Sequence, residues 1–126
     1  HPVVATLWSS EEEGRLAGKA LLEGREPPTA IVCHSDILAV GVIGVLREAG
    51  LRVPEDVSVT GFDGLAVPLL APLVLATVVQ NGFDKGQLMA DQARRLLAFE
   101  PVATAELPLM VRPGTSIGPP RPEHRR

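Results

Sequence analysis

The sequence predicts an α/β fold class, a parallel sheet flanked by helices, and three observations carry that prediction. Short apolar runs alternate with longer helix-patterned stretches, strand then helix then strand, the order that builds parallel sheets. Two of the helical stretches open on serine-led caps and close on glycine. The 126 residues are 45% apolar and only 3% aromatic, so the chain can bury one modest core of Val, Leu, Ala and Ile, a single domain at most.

Val3 to Leu7 is short and apolar and reads as the first strand. Ser9-Ser10-Glu11-Glu12-Glu13 sets a serine three residues ahead of a glutamate, the capping box that starts a helix. That helix is expected to run to about Glu23, with Leu16, Ala17, Ala20 and Leu21 on its buried side and Gly24 as its stop. After Pro27-Pro28, Thr29 to Cys33 reads as a second buried strand, and Ser35-Asp36 caps a helix from about Ile37 to Ala49. Leu38, Val40, Val42, Ile43, Val45 and Leu46 make this helix apolar nearly all round, so both of its faces must be covered.

Gly50 ends that helix, Val53-Pro54-Glu55-Asp56 turns the chain, and Val57 to Thr60 is the third strand. Leu75 to Val79 is a fourth, and the stretch between them, Leu65 to Leu73, follows neither periodicity. A third helix is expected from about Phe83 to Phe99 and an extended piece from Leu107 to Val111. The Pro- and Arg-rich end, residues 118–126, reads as a disordered tail.

Composition excludes several classes of function. A formal net charge of −3 gives no basic field to hold a polyanion, so these residues are poor candidates for contacting DNA. The lone Cys33 can form no internal disulfide and reads as a buried core residue in a reducing cytoplasm. The first residues have neither a basic start nor a long apolar run, and no stretch approaches the ~20 apolar residues of a membrane helix, so a chain without membrane contact is expected. Ser35, His34 and Asp63 are the residue types of a catalytic triad, but adjacent Ser and His side chains diverge and no G-x-S-x-G elbow occurs. Asp36, Glu55 and Asp56 read as capping and turn residues. No enzyme, cofactor or metal is expected, since His34 has no nearby Cys or His partner.

Ligands of parallel sheets bind beyond the carboxyl ends of the strands. Those ends here carry Trp8-Ser9, His34-Ser35-Asp36, Asp63 and Gln80-Asn81. Carboxylate, hydroxyl and amide groups bond to a polyhydroxylated ligand, and an indole covers a sugar's C–H face. Gly61 and Gly64 leave the backbone room to turn beside Asp63. The alternative is that Asp63 only caps the next turn.

Residues 28–64, PTAIVCHSDILAVGVIGVLREAGLRVPEDVSVTGFDG, resemble the effector-binding core of LacI/GalR-type transcriptional regulators, whose pattern is P-T-A-hydrophobic-x-x-x-N-D-x-x-A-x-G followed by V-P-x-D-[IV]-S-[VL]-x-G-[FY]-D. The resemblance continues through Pro72-Leu73, Ala76-Thr77-Val78 and Gln80, then Gly86, Ala90, Ala93, Leu96 and Leu97, to Val111-Arg112 and Thr115. It implies the C-terminal subdomain of a periplasmic-binding-protein-like (type I) fold, with residues 1–80 as that subdomain. Residues 81–105 would cross to an N-terminal subdomain lying outside this chain, and 106–117 would return as a strand. It implies the effector-binding and dimerisation part of a regulator, with a sugar or related effector as ligand, and operator DNA read only by a headpiece outside the chain. The alternative is a fragment of a sugar solute-binding protein for transport, which shares the fold.

By the same resemblance Asp63 holds ligand hydroxyls or amines, Ser35 does likewise, Trp8 stacks on the ligand, and Gln80 lies near the cleft and its crossover. The chain departs from the pattern at Ser35, where Asn is usual, and at Gly64, where Asp or Asn is usual. The W-S-S-E-E-E-G run from Trp8 to Gly14 is one residue longer than usual, and His34 is an uncommon neighbour that could make a pH-sensitive ligand contact. A homodimer is expected, through the family's dimer surface on Val40, Ile43, Leu46, Leu69 and Leu70, or through the apolar stripe Leu88, Met89, Leu96, Leu97 and Phe99.

Overall fold

The computed structural model of the chain describes residues 2–24 and 27–120. Its elements, in chain order, are α1 (Glu11–Leu22), β1 (Ala30–Val32), α2 (Asp36–Glu48), β2 (Ser58–Asp63), a 3-10 turn (Pro68–Leu70), β3 (Ala76–Val79), α3 (Gly82–Leu97) and β4 (Met110–Arg112). The sheet order is β1-β2-β3-β4, with the first three strands parallel and β4 antiparallel to β3. The sheet is therefore mixed, because the chain returns to it after α3 from the opposite end.

The start of α1 follows the expected capping box in one half. Ser10 Oγ accepts the Glu13 N–H at 3.1 Å, while the Glu13 carboxylate reaches past the cap to accept the N–H of Leu7 at 3.2 Å. That second bond draws Leu7 to the helix and away from the sheet. Val3 to Leu7 accordingly forms no strand; Val3 is 92% exposed, and a concavity of about 460 Å³ separates this segment from β1.

The face α1 buries is set by glycine at its crossing with α2, with leucine only at its C-terminal end. Gly14 and Gly18 are its buried residues; of the expected side, Ala17 and Leu21 are half-buried, with Leu21 packed on the core, whereas Leu16 and Ala20 point outward. A Cβ on Gly14 would lie 2.3 Å from the Leu38 carbonyl oxygen, and one on Gly41 would lie 2.1 Å from that of Glu11. Two backbones this close admit only glycine at the crossing. The Arg15 guanidinium then ties α1 to the end of α2 through Glu48, at 2.6 and 2.7 Å.

Its sequence specifies α2 at both ends. Ser35 Oγ accepts the Leu38 N–H, and at the far end Gly50, with φ of 74°, lets Leu51 N–H bond back to Leu46 O at 2.9 Å. Between those caps nine of its residues are buried, against α1 on one side and the sheet on the other. Ile31, Val59, Val57 and Leu75 complete the core.

The dimer surface expected on Val40, Ile43, Leu46, Leu69 and Leu70 is mostly interior. Val40, Ile43, Leu46 and Leu70 are buried in this chain's own core, and only Leu69, 77% exposed, faces outward. An apolar circumference signalled cover from within the chain.

β1 is less buried than its apolar run suggests, since Ile31 alone of its three residues faces the core and Val32 is 84% exposed. β2 runs three residues beyond Thr60, because Gly61, Phe62 and Asp63 pair with Thr77, Val78 and Val79. Residues 114–118 fill the gap between the amino ends of β2 and β3. Buried Ser116 donates from Oγ to Val59 O at 2.6 Å and accepts from Ala76 N–H at 2.9 Å, and Val59 N–H donates to Ser116 O at 2.8 Å. Gly118 is bonded to Ser58, and the described chain reaches residue 120, within the expected tail; residues 121–126 lie outside the described residues.

Candidate functional site

Because β1, β2 and β3 are parallel, their carboxyl ends share one edge of the sheet. The residues there are His34 and Ser35 after β1, Asp63 at the end of β2, and Gln80 and Asn81 after β3. Asp63 is the last residue of β2 rather than a residue beyond it, and is held in an uncommon conformation, φ 122°, followed by Gly64 at φ 79°. A side chain at Gly64 would also meet Val79, with atoms at 2.8 and 2.9 Å. The glycine in place of the usual Asp or Asn therefore answers a backbone and a steric demand together.

Asp63 and Gln80 meet directly: Gln80 Nε2 donates to Asp63 Oδ1 at 3.0 Å, and the Gln80 N–H donates to Asp63 O at 3.3 Å. Both side chains are half-buried, which orients the carboxylate while leaving it accessible to a ligand. His34 is exposed and its Nε2 lies 3.1 Å from Ser9 Oγ, so the end of β1 is tied to the residue beside Trp8. Trp8 itself is 75% exposed, an indole face open to solvent. Ser35 is buried and its hydroxyl serves as the α2 cap, accepting the Leu38 N–H. Asn81 Oδ1 caps α3 through the Asp84 N–H, and its amide also contacts the Asp84 carboxylate.

Asp36 is a residue whose role sequence reasoning understated. Ser35, not Asp36, caps the helix; the Asp36 carboxylate is fully buried and accepts from Thr77 Oγ1 and from Leu65 N–H, each at 2.6 Å. Gly61 makes room for it, since a Cβ there would stand 2.1 Å from Asp36 Oδ1. From β4, Arg112 donates to Gly64 O at 3.1 Å and to Leu65 O at 2.7 Å. An acid on the first turn of an otherwise apolar helix was the signal for the buried acceptor; nothing in the spacing of Thr77 or Arg112 marked them as its companions.

The Cys33 thiol is pushed up to about 12, by burial first and the Asp36 charge second, so it is an inert core group. On the sheet face away from α2, Val32, Phe62, Val78 and Val111 line an open apolar concavity of about 470 Å³ that His34 and Thr77 border. No group of His, Cys, Asp and Glu among the described residues is arranged to hold a metal ion. No helix among them is long and apolar enough to cross a membrane.

An open α/β sheet with polar groups gathered at the carboxyl ends of its parallel strands is the ligand-binding arrangement of open α/β folds, the lobes of the periplasmic-binding-protein-like class among them. The sequence profile of that class, the periplasmic binding protein-like domain, matches residues 1–117. Over 85 residues the chain is 38% identical to the HTH-type transcriptional repressor CytR of Escherichia coli K12, a match covering 64% of this chain and 25% of CytR. It is 31% identical over 119 residues to the HTH-type transcriptional regulator IpsA of Corynebacterium glutamicum, covering 94% of this chain and 33% of IpsA. A LacI family regulator from Bifidobacterium animalis superposes with a TM-score of 0.80 at 28% identity, over 88% of this chain and 41% of that one. The Lac repressor dimer bound to operator and the anti-inducer ONPF gives 0.77 at 28% identity, over 86% and 38%. An Enterococcus faecium LacI family regulator with bound ribose also gives 0.77 at 28%, over 87% and 41%. The chain belongs to the LacI family of the periplasmic binding protein-like domains, and it spans about a quarter of the length of CytR and a third of that of IpsA.

Proposed function

We propose that this chain is the effector-binding part of a cytoplasmic, homodimeric LacI-family transcription regulator, taking a small polyhydroxylated molecule at the strand-end rim. The observation that carries the reading is the Asp63 carboxylate, oriented by Gln80 at the carboxyl edge of three parallel strands and still open to a ligand. A carboxylate so held accepts from two neighbouring hydroxyls, which suits a sugar ring or a ribosyl group. His34 and the exposed Trp8 supply a second polar contact and an apolar wall. The ribose bound to the Enterococcus faecium relative supports this ligand class, and the repressors and regulators among the relatives favour regulation over delivery to a transporter. The operator-bound Lac repressor dimer supports the homodimer and the DNA partner. With a net charge of −3, this chain leaves DNA contact to residues outside it.

The mechanism is a population shift. An effector that binds one arrangement of the regulator better than another changes DNA affinity by that difference in binding free energy. The test is a titration of ribose, other pentoses, hexoses and nucleosides, read by the emission of the single tryptophan, Trp8. One of them is expected to bind saturably, and Asp63→Asn to weaken it by about 1–3 kcal/mol, the range for a hydrogen bond to a charged group. The same compound is expected to alter operator affinity of the regulator that carries this chain. Equal affinity in the Asp63→Asn variant, or saturable binding with no effect on DNA, would reject the assignment.

A further inference from the structure

Gly64 and Leu65 form the turn that follows the Asp63 carboxylate, and all four of their backbone polar groups are held by side chains. Gly64 N–H donates to Thr77 Oγ1 at 3.4 Å and Leu65 N–H to Asp36 Oδ2 at 2.6 Å. Arg112 donates from Nη1 to Gly64 O at 3.1 Å and from Nη2 to Leu65 O at 2.7 Å. The three side chains come from three elements, α2, β3 and β4. A turn at a sheet edge ordinarily leaves such groups to water. Here a fully buried carboxylate is committed to them, a costly placement unless its hydrogen bonds are complete. Arg112 Nε, meanwhile, is buried and has no hydrogen-bond partner among the described residues, while its two terminal nitrogens are spent on the two carbonyls.

We infer that Arg112, working with Asp36 and Thr77, is a positioning residue that fixes the turn after Asp63 and thereby sets where the Asp63 carboxylate stands for a ligand. The inference rests on the rim being the ligand site. The φ of 122° at Asp63 is one that residues with side chains rarely adopt, and such a conformation persists only where its surroundings over-determine it. Four bonds to the next two residues supply that constraint. Because Arg112 closes β4, the constraint comes from the strand that follows α3, and a shift of that strand reaches Asp63 without any contact to ligand.

The experiment reads the ligand-free protein by NMR. Its probe is the Gln80 side-chain amide, which donates to Asp63 Oδ1, and Asp63→Asn supplies the reference position for loss of that carboxylate. Arg112→Met keeps the alkyl stem and removes the fork of donors. It is expected to move the Gln80 amide resonance towards the Asp63→Asn position and to raise hydrogen exchange at Gly64 and Leu65 by about tenfold or more, with exchange at Ile43 and Leu46 unchanged. Thr77→Val, which loosens the turn from the other side, is expected to move the same resonance and carries the test if Arg112→Met does not fold. An unmoved Gln80 resonance overturns the inference, because the turn then holds itself. Exchange raised equally in the turn and in α2 also overturns it, because Arg112 then supports the sheet as a whole. A sugar titration without binding rejects the rim as a ligand site and leaves this readout intact.

Discussion

α2 and α3 start in the same way and end in opposite surroundings. Each is capped by a polar side chain, Ser35 for α2 and Asn81 for α3, and they span 13 and 16 residues. Nine residues of α2 are buried and none of α3 is. The glycines tell the same story, since Gly41 in α2 leaves no room for a methyl group while Gly82 and Gly86 in α3 face open space. Local signals therefore suffice to make a helix, but only a partner surface makes it part of a core. α3 holds itself with a surface ion pair, Arg94 to Asp91, and touches the following chain through Gln92 Nε2 and Ala103 O.

The contrast breaks most clearly under truncation. Leu46→Ala, at a fully buried site, is expected to cost about 2–5 kcal/mol, whereas Leu96→Ala, on the exposed side of α3, stays within about 0.5 kcal/mol. Urea unfolding followed by far-UV circular dichroism measures both; equal losses would mean that α3 is packed in solution.

Adding a methyl group sharpens the same comparison. Gly41→Ala drives a Cβ into the Glu11 carbonyl and is expected to destabilise by about 1–3 kcal/mol, the range for overpacking. Gly86→Ala meets nothing and is expected to stabilise by about 0.5–1 kcal/mol through helix propensity. The two midpoint shifts on denaturation should have opposite signs.

A smaller effect belongs to the ion pair that closes α1 onto α2. The hydrogen bond from Arg15 holds the Glu48 carboxyl below its ordinary range, which for glutamate centres on about 4.3. A depressed carboxyl pKa contributes stability that is present above the unfolded value and lost as pH falls through the lower folded one. Parent and Glu48→Gln should therefore differ in thermal midpoint at neutral pH and converge in acid. Both side chains reach solvent, so the difference is small and shrinks further with added salt.

What could be read from the sequence followed the range of the physics. Ser35, the apolar run to Leu46 and Gly50 are contiguous, and they placed α2 within a residue at each end. The strand expected from Val3 to Leu7 needed an edge partner, and the Glu13 side chain competes for the Leu7 N–H that would have helped form it. Leu16 and Ala20 looked like a buried stripe because periodicity cannot show that two glycines let α1 sit closer on its other side. At the rim, the residue types were legible, and the glycines at 61 and 64 drew attention to Asp63, which closes β2 at the carboxyl edge of the sheet. Its direct partner Gln80 was expected only to lie nearby, and the Arg112 grip on the next two residues joins positions 47 and 48 apart in the chain. Ser35 was expected to offer its hydroxyl to a ligand; in the structure that hydroxyl accepts the Leu38 N–H as the α2 cap and the residue is buried.

Ser116 joins residues 57 and 40 positions earlier in the chain, bonding to Val59 and Ala76 between β2 and β3. During synthesis, then, α1 and α2 can associate early, but the sheet lacks one of its internal stitches until residue 116 has left the ribosome. At the usual pace of elongation, about 5–20 residues per second, that leaves several seconds in which an incomplete sheet is open to chaperones and to other nascent chains.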